Sequence, residues 1–107
     1  MATDVFAVLA EPMRRRILDE LRRDDCSVNA LVDTLAVSQP AVSKHLKVLR
    51  DAGFVSVRTA AQRRIYSVDT RPLEALDDWL APYRQLWSSR LDALERHLDR
   101  QHDDSEE

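Results

Sequence analysis

The stretch from Ser27 to Arg58, SVNALVDTLAVSQPAVSKHLKVLRDAGFVSVR, decides the fold. Its first part carries Leu31, Val32 and Leu35 on one side of a short helix, which Ser27 can cap and which ends near Ala36. Ser38 can cap the next helix. Pro40 is tolerated in that helix's first turn, and Val42, Leu46 and Leu49 recur at i, i+4 and i+7. Gly53 closes it, since glycine takes the left-handed conformation and lets Phe54 fold back on the last turn as in a Schellman ending. Beyond Gly53 the period changes. FVSVR (54–58) and RIYSV (64–68) are rich in β-branched and aromatic residues, and the polar segment TAAQR joins them, which predicts a two-stranded hairpin. Two short helices across a tight turn, followed at once by a basic hairpin, have the order of a helix-turn-helix with a wing.

Upstream, Asp4 to Ala10 reads as a weak helix with Val5, Phe6, Val8 and Leu9 apolar. Pro12 then sits where a first-turn proline belongs, and Met13, Ile17, Leu18 and Leu21 keep a helical period as far as Asp24 and Asp25. Downstream the helical period returns from Pro72. Leu73, Leu76, Leu80, Tyr83, Trp87, Leu91, Leu94 and Leu98 form one stripe, Thr70 offers a cap, and a kink is expected near Pro82. The expected fold class is mainly α with a small β-hairpin: a winged helix-turn-helix of about five helices plus a two-stranded wing. One domain is expected over 1–100, with QHDDSEE as an acidic flexible tail over 101–107.

Composition narrows the function. With 107 residues, 44% of them hydrophobic and 33% charged, the chain is globular rather than disordered. A single cysteine, Cys26, excludes internal disulfides and multi-cysteine metal cages, and a single glycine excludes glycine-rich phosphate loops. No apolar run nears the roughly 20 residues of a membrane span, so a cytoplasmic protein without a membrane partner is expected. The net charge is -3, yet from Gln39 to Tyr66 six cations face one acid, a balance of +5. From Arg71 onward five arginines face ten acids, a balance of -5. Such asymmetry suits a molecule that offers one face to phosphate and keeps the other away.

On a helical wheel the stripe Val42, Leu46 and Leu49 turns Pro40, Lys44 and Lys47 outward, with Ser43 at the margin and Gln39 in the first turn. This chemistry fits a DNA major groove. Glutamine addresses adenine, serine donates or accepts, proline touches a thymine methyl, and lysine reaches guanine acceptors or phosphate. Arg63 and Arg64 stand at the hairpin tip with Arg58 opposite, suited to phosphate contact or to the adjacent minor groove. His45 lies near the apolar stripe and is read as a packed, hydrogen-bonding residue rather than a DNA contact.

The stretch from Ser27 to Arg58, with LAEPMRRRILDEL before it and RRIYSV after it, closely resembles the ArsR/SmtB family of bacterial winged helix-turn-helix repressors, over nearly the whole chain from about Val5 to Leu98. The resemblance implies a homodimer joined by its first and last helices, and repression of a double-stranded DNA operator that an inducer releases. It places Gln39, Pro40, Ser43 and Lys44 at base-contacting positions and Arg63 and Arg64 on the wing. The chain departs from the family's metal sensors. It has no Cys-x-Cys near Ala30 to Asp33, and its last helix offers His97 and His102 without an Asp-x-His pair, so neither metal nor cofactor is expected. The wing also lacks the glycine usual in its turn, around Ala61 and Gln62.

The expected dimer interface comprises Val5, Phe6, Leu9, Leu76, Trp79, Leu80, Tyr83, Trp87, Leu91 and Leu94, because a domain this small cannot cover so much apolar surface alone. The inducing signal stays open between a small molecule and a redox effector. Cys26 is the sole thiol, and the acids beside it do not favour a reactive thiolate. A winged-helix module that binds protein through its last helix is the competing reading. An enzyme is not expected, since no nucleophile, base and acid stand at readable spacing.

Overall fold

The computed structural model describes residues 4–105. In chain order the elements are α1 (Val5–Leu9), α2 (Pro12–Arg23), β1 (Cys26–Ser27), α3 (Val28–Leu35), α4 (Gln39–Asp51), β2 (Val55–Ala60), β3 (Arg63–Val68) and α5 (Leu73–Ser105). The chain divides into two compact units, Met1–Leu76 and Asp77–Glu107.

The first unit holds the core. Val8, Ile17, Leu21, Leu31, Leu35, Val42, Leu46, Leu49, Phe54, Val55 and Tyr66 are buried, drawing every helix through α4 and both wing strands onto one apolar centre. α1 is fastened to α2 by arginines. Arg14 Nη1 donates to the Val8 carbonyl at 3.4 Å and Arg15 Nη1 to the Leu9 carbonyl at 2.6 Å, so two carbonyls left open at the end of a five-residue helix find donors. Val5 and Leu9 pack against the core of their own chain, while Phe6 is exposed.

The caps fall where local chemistry puts them. Ser27 Oγ accepts from the Ala30 N–H at 3.2 Å and Ser38 Oγ from the Ala41 N–H at 3.3 Å. At the end of α4 the Phe54 N–H donates to the Leu49 carbonyl at 2.8 Å and the Gly53 N–H to the Arg50 carbonyl at 3.0 Å. With Gly53 at φ 83°, that is a Schellman closure. At the start of α5 the expected Thr70 cap takes another form. The Leu73 N–H donates to the Thr70 backbone carbonyl at 2.9 Å, and it is the Asp69 carboxylate that accepts from the Arg71 N–H, at 3.0 Å.

The sheet has three strands rather than two, in the order β1-β3-β2, all antiparallel. Cys26 pairs with Tyr66 and Ser27 with Ile65, so the residues that enter α3 also close the sheet. The wing strands run further than the sequence pattern indicated. Ala60 pairs with Arg63, leaving only Ala61 and Gln62 in the turn, both at positive φ (50° and 72°).

The second unit is the body of α5, which passes through Pro82 and on to Ser105, into the stretch expected to be a flexible tail. Glu106 and Glu107 lie outside the described residues. Trp79, Tyr83, Leu86, Trp87, Leu91, Leu94 and Leu98 are exposed, and the Trp79 and Tyr83 rings lie 4.8 Å apart. Leu76 and Leu80 are half-buried.

Candidate nucleic-acid interface

The α3–α4 pair owes its shape to burial and one left-handed residue. Val42, Leu46 and Leu49 are almost fully inaccessible, which fixes the rotation of α4 about its axis. Ala36 at φ 55° ends α3 and reverses the chain into Val37 and Ser38. With α4 held this way, Gln39, Pro40, Ser43, Lys44 and Lys47 are all exposed, as the helical wheel requires.

A groove of about 600 Å³ runs between this face and the wing, lined by Gln39, Ser43, Lys47, Arg50, Arg64 and Tyr66 among others. A second concavity of about 510 Å³ adjoins it. Ser27 to Ala30 at the start of α3, Gln39, and Gln62, Arg63 and Arg64 of the wing line its wall. The structure therefore brings Gln39, Ser43, Lys47 and Arg64 to one groove and Arg63 to the next. Pro40 and Lys44 stand on the exposed side of α4 without lining either. Arg50 joins the groove although sequence reasoning did not single it out. Its signal was present, since it follows Lys47 by three residues and Ser43 by seven, on the same helical face.

Arg58 is placed differently from its wing partners. It pairs across the ladder with Ile65, two rungs from Ala60 and Arg63, and its Nη2 donates to Asp25 Oδ2 at 3.3 Å. Among the described residues Lys44, Lys47, Arg50, Arg63 and Arg64 are in no ion pair, whereas Arg71 and Arg84 are held by Asp69 and Asp77. The excess positive charge of the central segment thus remains available to a polyanion. The Arg71 guanidinium holds the Asp69 carboxyl down to about 2.

Cys26 is half-buried, and its Sγ donates to the Asp24 carbonyl at 3.2 Å. Burial pushes its thiol up, and the charges of Asp24, Glu20 and Asp25 push in the same direction. His45 is half-buried beside the stripe, but its Nδ1 is buried with no hydrogen-bond partner, so its packing is not matched by the hydrogen bonding expected at that atom. His97 is exposed on α5, and the His102 side chain lies outside the described residues. Among the described residues no group of three or more His, Cys, Asp or Glu side chains could hold a metal ion. No described helix is long and apolar enough to cross a membrane.

Residues 9–58 match the family described as "Helix-turn-helix domain", which spans α2, α3, α4 and the start of the wing. The chain is 38% identical over 100 residues to the HTH-type transcriptional regulator Rv2034 of Mycobacterium tuberculosis, covering 94% of this chain and 91% of that protein. It is 31% identical over 77 residues to the transcriptional repressor SdpR of Bacillus subtilis, covering 72% and 86%. Among solved structures it is similar to an ArsR-like transcriptional regulator from a Rhodococcus species, with a TM-score of 0.67 at 33% identity, covering 86% of this chain and 87% of that one. The chain belongs to the ArsR/SmtB family. As an ArsR/SmtB-type protein it is a DNA-binding transcriptional regulator and not an enzyme.

Proposed function

We propose that this chain is a homodimeric repressor that acts in the cytoplasm, occupies a promoter operator through α4 and the wing of each copy, and is released by a signal other than a metal. One observation carries the reading. A polar, cationic helix face and two wing arginines, none of them in an ion pair among the described residues, border a single pair of adjoining grooves. Gln39, Pro40, Ser43 and Lys44 read base edges in the major groove, while Lys47, Arg63 and Arg64 hold phosphates and the minor groove. Arg58 contributes once Asp25 gives it up. The exposed stripe of α5, from Trp79 to Leu98, supports pairing with a second copy; on α1 Phe6 is exposed as well, whereas Val5 and Leu9 are packed on the core of their own chain. A two-fold pair sets its recognition helices about 34 Å apart, matching successive major grooves.

The test selects duplexes from a random pool with the pure full-length protein, then follows binding against salt and sedimentation against concentration. A selected palindromic site, a steep salt dependence and a dimer are expected. Replacing Leu91 by glutamate should give a helical monomer that no longer holds the site. Equal affinity for every duplex overturns sequence-specific reading. A monomer indifferent to DNA favours instead a module whose aromatic α5 docks on another protein.

A further inference from the structure

One cavity in the first unit lies away from the exposed face of α4 and the wing tip. It has a volume of about 340 Å³ and sits where the end of α1, one face of α2, the end of β3 and the start of α5 meet. Leu9, Leu18, Val68 and Leu73 form its floor. Each is half-buried and packed against the core on one side, so the surface they leave uncovered is what the cavity presents. Unlike the two grooves beside α4, its wall is mostly apolar. Small-ligand pockets occupy roughly 300–1,000 Å³ and pair an apolar lining with a few polar groups that fix orientation. The polar groups here are Arg15, Asp19 and Arg22 on α2, all exposed, with Thr70 beyond β3. Arg15 and Arg22 stand two turns apart on one helical face, about 10 Å along the axis. Arg15 gives Nη1 to the Leu9 carbonyl at 2.6 Å, which holds it as part of the wall. Arg22 is in no ion pair among the described residues, leaving its planar fork of donors open to an anion.

We propose that this cavity binds a small monocarboxylate with an apolar body, and that such a molecule is the releasing signal; the second part rests on the repressor reading above, the first does not. The apolar body covers Leu9, Leu18, Val68 and Leu73, while the carboxylate accepts a bidentate pair of N–H groups from Arg22. Two guanidiniums against the single carboxylate of Asp19 leave the rim one positive charge in excess, which suits a ligand with one negative charge. A second carboxylate would meet Asp19, and an ammonium would meet the arginines. The cavity also spans the connection from β3 to α5, so a ligand seated in it ties the last wing strand to α1, α2 and the first turn of α5. A ligand that fits one arrangement of that connection better than another shifts the protein toward the one it fits.

The experiment uses the full-length protein, with 3-phenylpropionate as the probe and its neutral amide, 3-phenylpropionamide, as the control. Titration followed by backbone amide NMR should give saturable shifts at Leu9, Leu18, Val68 and Leu73. The neutral control should bind about fivefold more weakly, a modest preference because the rim is exposed to solvent. R22Q should lower the affinity for the carboxylate by about the same fivefold and leave that for the control unchanged. T70F places an aromatic ring at an exposed rim position without entering the core, and should weaken both probes about tenfold. Saturation with the carboxylate should weaken binding to a duplex selected from a random pool by about fivefold or more in wild type, and not in T70F. The site is overturned if wild type gives no saturable shifts at those residues, if the control binds as well as the carboxylate, or if R22Q or T70F binds as wild type does. A carboxylate that binds there without loosening the hold on DNA overturns the signalling role. A protein that retains no duplex from the pool removes the repressor reading, while the binding result stands on its own.

Discussion

Arg58 on β2 and Asp25, just ahead of β1, form an ion pair at 3.3 Å across 33 positions of sequence. Both side chains are substantially exposed, at 58% and 42%, so the pair adds under about 1 kcal/mol to stability. Under the proposed function its larger effect is on binding, because Asp25 would compete with phosphate for the guanidinium. Asp25→Ala should raise operator affinity several-fold and steepen the slope of log K against log salt by about 0.9. An unchanged slope in gel-shift titrations would mean that Arg58 stays off the DNA.

The cations and the polar residues of the interface should separate by experiment. Arg63→Ala and Arg64→Ala should each flatten the salt slope by about 0.9 and weaken binding equally for all sequences. Gln39→Ala and Ser43→Ala should keep the slope while losing roughly 1 to 3 kcal/mol of discrimination at the base pair each one faces. Competition among single-base operator variants measures the difference.

Gly53 is needed for its backbone and not for want of space. A Cβ there would meet Pro72 Cγ at 3.5 Å, an ordinary contact, but φ is 83°. Gly53→Ala should cost roughly 1 to 2 kcal/mol in urea unfolding. A loss of about 4 kcal/mol or more would indicate a clash that this geometry does not contain.

Cys26 should be a slow thiol. Because the fold holds its proton more tightly than the unfolded chain does, thiolate is scarce near neutrality and alkylation should accelerate only as pH rises well above the ordinary thiol value. Over the same rise the thiol's contribution to stability declines. Cys26→Ser should leave the response of DNA binding to peroxide unchanged, and a lost response would restore an oxidant-sensing role.

What the sequence made legible was the chemistry of short range. Ser27, Ser38 and Gly53 each sit within a few residues of the atoms they satisfy, and the stripe of Val42, Leu46 and Leu49 repeats within a single helix, so spacing alone locates them. The strand at Cys26 and Ser27 is too short to show alternation, and its partners Tyr66 and Ile65 lie far along the chain. The wing strands read short because Ala61 and Gln62 make a tight turn without its usual glycine signal. The Arg58–Asp25 pair depends on tertiary placement, which periodicity does not encode, whereas Arg50 shares the helical face of Ser43 and Lys47 and was legible from spacing. The acidic, polar composition of the terminus carries no signal for where α5 stops, and the helix continues to Ser105.

Ser27 belongs at once to β1 and to the cap of α3, and its ladder partner Ile65 lies in the wing. A backbone so shared cannot tilt the hairpin while leaving the preceding helix behind. The hairpin and α3 are therefore stiff as a unit. In the proposed dimer, a releasing signal would have more to gain by altering how far apart and at what angle two such units are held than by unpicking either one.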